Sequence, residues 1–145
     1  MIRCYSELVK MNTFLERFEY LKLGGAVGQQ TFGYDRWINQ IFYGSNEWKT
    51  FRNQIILRDN GCDLGVEGYD IHGRGMLLIH HMNPITKRQI LDRDPSILDP
   101  EYVITVSRVP THEAIHYGDV SLLQGRELTE RTPGDTCLWR NKHER

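Results

Sequence analysis

The sequence lacks the cysteine pattern of a disulfide-rich or zinc-knuckle protein. It has three cysteines in 145 residues, at Cys4, Cys62 and Cys137, and no CxxC pair. An odd number of widely spaced cysteines argues against a disulfide framework, and the missing pair argues against a zinc knuckle. We therefore expect a protein of a reducing cytoplasm.

Long apolar runs are also missing from the sequence. No segment contains the roughly 20 apolar residues of a membrane span, and the N-terminus has no apolar core of a signal peptide. These absences predict a protein that stays where it is made and has no membrane partner.

Charge of one sign is not in excess. Lys and Arg total 18, Asp and Glu total 19, and the formal net charge is −1. Because non-specific affinity for nucleic acid depends mainly on neutralising phosphates, this balance argues against a protein that coats DNA by bulk electrostatics. Any contact with nucleic acid has to be made by a local basic surface.

The pattern of apolar residues predicts helices in the first part of the chain and short strands after them. The expected elements are helices over 12–23, 34–44 and 46–58, a β-hairpin over 65–81, a strand over 102–106, and a helix from Pro110 that Gly118 ends. Ser45 is the expected N-cap of the third helix. Trp37, Ile41 and Phe42 share one side of the second helix, and we expect Trp37 and Trp48 in the core.

The length of the chain favours one compact domain with three regions. They are an N-terminal helical region over 1–58, a core over 59–119 and an irregular C-terminal tail over 120–145. Helices and short strands together predict an α+β fold.

Histidine has an unusual distribution along the chain. Five of the six histidines lie between residues 72 and 116, and four form two tight pairs, His80-His81 and His112-His116. On a helix, positions i and i+4 share a face about one turn apart, close enough for two imidazoles to bind one cation. A solvated or capping pair is the alternative for HxxxH taken alone.

The doublet His80-His81 ends an apolar strand, in which neighbouring side chains point to opposite faces. Only one of the two can therefore face the helix. Phosphodiester hydrolysis needs a cation on the phosphate and, separately, a base with a pKa near 7 to activate water. The two histidines can supply one role each.

The order of these motifs resembles the ββα-metal core of HNH endonucleases, in the all-histidine form of the colicin DNases. The resemblance rests on IHHMNPIT and YVITVSRVPTHEAIHYGD. It implies a ββα-metal (His-Me finger) core and an enzyme that nicks or cleaves DNA. It further implies that His81 is the general base and that three metal ligands are His80, His112 and His116.

The segment SNEWKTFRNQIILRDNGCDLG resembles the lead-in of HNH proteins encoded by bacteriophages. This similarity implies a phage origin and a location in the host cytoplasm.

The chain departs from the family at two places. Cysteine pairs of zinc-knuckle members correspond here to Cys62 with Gly65 and to Ser107 with non-cysteines, so we expect no structural zinc. The family's middle Asn would fall at Tyr102 or Val103, which have no side-chain amide. Asn83 is the candidate for a substitute brace of the loop that carries the base.

Three neutral imidazoles form a borderline-soft ligand set. One divalent ion is expected, with Zn²⁺, Ni²⁺, Co²⁺ or Mn²⁺ favoured over Mg²⁺, which prefers oxygen ligands. A closed structural site would require a carboxylate from Glu113 or Asp119 as well.

Basic residues that flank the histidines are the expected contacts to nucleic acid: Arg74, Lys87, Arg88 and Arg108. A second set on the preceding helix comprises Lys49, Arg52 and Arg58.

DNA is the expected partner and RNA the alternative. One site per chain predicts nicks, and a double-strand break would require a dimer or a second encounter. The alternative function is a catalytically weakened phage protein that binds metal and nucleic acid in a structural or regulatory role.

Overall fold

Helices and a two-stranded sheet form an α+β fold in the computed structural model, which describes residues 2–23, 34–65 and 77–119. The helices and strands are α1 (Tyr5–Leu8), α2 (Phe14–Leu21), α3 (Tyr34–Gly44), α4 (Asn46–Arg58), β1 (Leu77–His81), α5 (Lys87–Leu91), β2 (Val103–Ser107) and α6 (Glu113–Tyr117). Two 3₁₀ turns, Pro95–Leu98 and Pro100–Tyr102, precede β2, and a π-helical turn over Arg108–His112 leads into α6. None of the helices described has the length and apolar character to cross a bilayer.

Side-chain caps set the starts of three helices. The Thr13 hydroxyl accepts a hydrogen bond from Glu16 N, so α2 begins at Phe14, and it ends at Leu21, within the predicted range 12–23. Ser45 caps α4 as predicted, by accepting from Trp48 N at 3.1 Å. Thr86 opens α5 with a reciprocal capping box. These caps satisfy backbone N–H groups that have no partner within the helix.

The sheet consists of β1 and β2 in antiparallel pairing. His80 lies opposite Ile104 and His81 opposite Val103. The predicted strand over 102–106 is confirmed as β2, displaced by one residue. Of the predicted hairpin over 65–81, β1 is the second strand, and residues 66–76 lie outside the described residues.

The two faces of this sheet carry different apolar clusters. On one face Met82, Ile104 and Val106 pack with buried residues of α1, α2, α6 and the 59–65 turn. On the other face Ile79 and Val103 pack against α4, whose buried stripe is Trp48, Phe51 and Ile55. Because strand residues alternate between faces, His80 is directed towards α6 and His81 towards α4.

The buried side of helix α3 differs from the one that the sequence predicts. Trp37 and Ile41 are 55% and 53% exposed, whereas Ile38 is 4% exposed. The prediction that Trp37 and Ile41 line the buried side is therefore wrong, and so is the placement of Trp37 in the core. The sequence offers two apolar stripes at i,i+4 spacing, 37–41 and 38–42, and contacts with α4 and α5 select the second. Trp48 is buried as predicted.

Gly118 ends α6 in the left-handed conformation, with φ +65°. A Cβ at this position would lie 2.9 Å from Leu23 O. Leu23 N also donates to Ile115 O at 2.7 Å, so the chain that follows α2 lies directly against the end of α6. Only glycine combines this backbone conformation with that close approach.

Candidate metal centre

Three imidazoles meet between the sheet and α6, and we call them the histidine cluster: His80, His112 and His116. One ligand atom from each lies within 4.8 Å of the other two. The ring centroids of His112 and His116 are 4.3 Å apart, and that of His80 is 5.3 Å from His112 and 5.2 Å from His116. The three residues proposed as metal ligands are thus close enough together to bind one ion.

Three different elements supply these side chains. His80 comes from the face of β1 that is directed towards α6, where its exposed fraction is 2%. His112 closes the π-helical turn, and its ring makes no capping hydrogen bond to α6. His116 follows one turn later, so the i,i+4 relationship brings its ring beside that of His112.

A regular helix from Pro110 was predicted, and this prediction is wrong for the first turn. Residues 108–112 form a π-helical turn, and α6 begins at Glu113. Pro110 has no backbone N–H, and Thr111 N donates to the side chain of Ser107, at 3.4 Å from Oγ. Thr111 N therefore has a hydroxyl as its partner at the position where an α-helix would use the Ser107 carbonyl.

The buried Nε2 atom of His80 is an observation that favours metal binding by the cluster. It is buried and has no hydrogen-bond partner within the described part of the chain. An unsatisfied buried polar atom costs about 1–3 kcal/mol, so a partner is expected. Two nitrogens bound to one Zn²⁺ are at most about 4.2 Å apart, so small ring movements would complete a site of this size.

The cluster is an open set of three ligands. Among the described residues no carboxylate belongs to it, and neither Glu113 nor Asp119 supplies the fourth ligand of a closed site. Catalytic zinc sites commonly have three protein ligands, which leaves a position for water or substrate.

The pKa of each imidazole in the cluster is lowered from the ordinary 6.5, which favours the neutral form at pH 7. Burial is the main reason that the pKa of His80 lies well below 6.5, and the neighbouring His112 and His116 add to the effect. Burial, His116 and Arg108 together lower the pKa of His112 to about 4. Burial also lowers the pKa of His116. Neutral imidazole is the form that binds a metal ion, so the cluster needs no deprotonation to do so.

We predict that the metal-free protein loses stability as the pH falls from 6.5 to about 4. The unfolded chain has an ordinary histidine pKa of 6.5, whereas the folded pKa of His112 is about 4, so the unfolded chain binds more protons in this window. The contribution of His112 to the free energy of unfolding is complete above pH 6.5 and is lost as the pH falls from 6.5 to about 4. Urea midpoints of metal-free wild type and of His112→Gln at pH 7, 5.5 and 4 test this. The variant should show a smaller decrease, and an equal decrease in both proteins would contradict the assignment.

The fourth histidine of the resemblance, His81, does not join the cluster. Its ring stacks on Trp48 at 5.5 Å with an interplanar angle of 23°, on the α4 side of the sheet. Its Nε2 lies 3.0 Å from Ile97 O. Because a carbonyl can only accept, Nε2 carries the proton and Nδ1 holds the lone pair. Burial lowers the pKa of His81, which keeps this ring neutral at pH 7.

A cavity of about 320 Å³ lies beside His81, lined also by Arg3, Asn83 and Tyr102. The Asn83 amide forms a reciprocal pair with Arg3, accepting from its N–H at 2.8 Å and donating to its carbonyl at 2.9 Å. Asn83 therefore braces the N-terminal segment, and its role towards the base is still a prediction. Val103 is buried in the core, and Tyr102 lines the cavity. Neither side chain has an amide group.

The structure describes three of the four basic residues that flank the histidines and are predicted to contact nucleic acid. Arg108 is exposed, and its charge contributes to the lowered pKa of His112, so it lies near the cluster. Lys87 and Arg88 are exposed on α5, where Arg88 pairs with Asp92 at 3.0 Å. Arg74 lies outside the described residues.

Arg58 has a structural role in the fold, and its contact with nucleic acid stays a prediction. Its guanidinium donates to Asp59, to Pro100 O at 2.6 Å and to Val103 O at 2.8 Å. It also lies over the Tyr5 ring, 3.8 Å from the centroid. These contacts join α4 to β2 and α1.

Sequence reasoning missed three residues around the histidines: Trp48 and Ile97, which contact His81, and Asp63, which binds the turn before His112. Trp48 was recognised only as a core residue. The signal for Asp63 was its position in DNGCDLG, four residues after Asp59, in a turn where a buried carboxylate needs several donors.

The chain was compared with protein-family models, curated proteins and solved structures, and none of them matches it. The chemistry proposed for the cluster therefore rests on its own residues and on the motif resemblance.

Proposed function

We propose that this protein is a metal-dependent phosphodiesterase of the HNH type that nicks or cleaves DNA. The observation that carries the proposal is the meeting of His80, His112 and His116, with the buried Nε2 of His80 lacking a partner among the described residues. Two antiparallel strands are followed by the π-helical turn and α6, which together carry His112 and His116, and this order supports a ββα-metal core. The motif resemblance adds the reaction class.

The ligand set favours Zn²⁺, Ni²⁺ or Mn²⁺ over Mg²⁺, because it offers imidazole nitrogens and no carboxylate from the described residues. When bound, the ion would neutralise charge on the scissile phosphate and on the leaving oxygen. Arg108, whose charge acts on His112, is the first candidate to contact a neighbouring phosphate, with Lys87, Arg88 and Arg74 as further candidates.

His81 is the proposed general base. The hydrogen bond to Ile97 O fixes the tautomer that leaves Nδ1 able to accept a proton from water, and the Trp48 ring fixes its plane. This arrangement of a base oriented by a backbone carbonyl is one that acid-base catalysis uses.

A phage origin and a host-cytoplasm location are proposed on the resemblance of segment 45–65 alone. The single histidine cluster among the described residues would support nicking by a monomer, and a double-strand break would require a dimer or a second encounter.

A second function is favoured by a specific observation. His81 lies on the opposite face of the sheet from His80, and no amide stands at Tyr102 or Val103. A protein with this arrangement could bind metal and nucleic acid without turnover, in a structural or regulatory role.

The decisive experiment strips the wild-type protein of metal and supplies Zn²⁺, Ni²⁺, Mn²⁺ or Mg²⁺ in turn. We expect about one ion per chain and nicking of supercoiled plasmid with the first three ions, and much weaker nicking with Mg²⁺. Duplex DNA, single strands and RNA as competing substrates identify the preferred one. One bound ion without nicking under any condition would favour the binding protein, and failure to bind any ion would contradict both functions.

A further inference from the structure

A buried carboxylate joins the turn before β1 to the π-helical turn that carries His112. Asp63 is 0% exposed, and it accepts hydrogen bonds from three residues: Gly65, Ser107 and Thr111. We call these four residues the Asp63 junction. We propose that Asp63 is a positioning residue of the histidine cluster, an inference that rests on the metal site proposed above.

The contacts of Asp63 are numerous and short. Oδ1 accepts from Gly65 N at 2.8 Å. Oδ2 accepts from Ser107 N at 3.2 Å, from Ser107 Oγ at 2.8 Å and from Thr111 Oγ1 at 2.6 Å. Bonds to an ionised carboxylate are stronger than those between neutral groups, and removing one partner from a buried network is costly.

Thr111 immediately precedes His112, so its position sets where the imidazole enters the cluster. Its backbone N–H bonds to Ser107 Oγ at 3.4 Å, and its hydroxyl bonds to Asp63. Asp63 thereby fixes the main chain and the side chain of the π-helical turn together. Outer-shell partners that orient ligands typically change metal affinity by 10- to 100-fold.

Gly65 allows the 59–65 turn and the π-helical turn to lie in close contact. A Cβ at Gly65 would lie 2.5 Å from Thr111 Cγ2 and 3.2 Å from Asp63 Oδ1. The turn can therefore approach Thr111 closely only because residue 65 has no side chain.

Asp59 provides a matched control for Asp63. It belongs to the same turn, is also 0% exposed, and accepts from a backbone N–H of β2, that of Thr105, at 2.9 Å. Its carboxylate also accepts from Arg58, and among the described residues no hydrogen bond connects Asp59 to Thr111. Replacing Asp59 tests the loss of a buried carboxylate from this turn without touching the segment that carries His112.

The experiment measures Co²⁺ affinity and the visible absorption bands of the bound ion in the full chain, at a temperature where each variant is folded. We expect Asp63→Asn and Thr111→Val to bind Co²⁺ about 10- to 100-fold more weakly than wild type, with altered bands. Thr111→Ser, which keeps the hydroxyl, should stay close to wild type, and so should Asp59→Asn. If Asp63→Asn does not fold, the Thr111 pair carries the test.

Two outcomes overturn the proposal, and they are distinguishable. Wild-type affinity and bands in Asp63→Asn or Thr111→Val, or an equal loss in Asp59→Asn, would show that Asp63 supports the fold without positioning a ligand. A wild-type protein that binds no Co²⁺ would overturn the metal site itself.

Discussion

Replacing His81 with alanine is expected to reduce metal-dependent nicking by about 10²- to 10⁴-fold, the usual contribution of a general base. Metal binding should persist at about one ion per chain, because the His81 ring is on the α4 side of the sheet and outside the histidine cluster. Nicking rates and metal content, measured on the same preparations of wild type and variant, check this.

The variant also removes a ring that packs on Trp48, so folding has to be measured separately. Trp48→Phe is the matched control, because it perturbs the same stack but leaves the imidazole and its bond to Ile97 O in place. A much smaller loss in Trp48→Phe than in His81→Ala would assign the effect to the base. Unchanged nicking in His81→Ala would exclude His81 as the base, and loss of the metal would indicate a supporting role.

The part of the site that could be predicted from sequence depends on short-range geometry. The i,i+4 spacing of His112 and His116 sets their ring contact whatever the rest of the fold does. Strand alternation requires His80 and His81 to diverge, and they do. Ser45 caps α4 because a hydroxyl at that position satisfies a helix N–H from within its own turn.

The features that were missed depend on contacts between distant segments. Trp37 and Ile38 are neighbouring hydrophobic residues, and the packing of α3 on α4 and α5 decides that Ile38 is the buried one. Asp63 and Thr111 are 48 residues apart, so the hydrogen bond between them has no local signature. The partner of His81 is a backbone carbonyl, which any residue at position 97 would supply.

Replacing His80 with leucine is expected to have opposite effects on stability with and without metal. In the metal-free protein the buried Nε2 lacks a partner among the described residues, so a similar-sized apolar side chain should raise the free energy of unfolding by up to about 1–3 kcal/mol. In saturating Zn²⁺ the wild type should become the more stable protein, because an ion at 1,000 times its Kd adds about 4.1 kcal/mol. The variant should gain little from Zn²⁺ and show no metal-dependent nicking.

Thr105→Val separates this effect from the general benefit of removing a buried polar atom. Thr105 Oγ1 is also buried and has no partner among the described residues. Thr105 lies opposite Ile79, the neighbour of His80 on β1, and is outside the histidine cluster. Both substitutions should stabilise the metal-free chain, and only His80→Leu should abolish the response of the melting temperature to Zn²⁺. Equal Zn²⁺ responses in the two variants would exclude His80 as a ligand. A reversal confined to His80→Leu would mean that this imidazole is retained at a cost to the metal-free fold because the bound ion requires it.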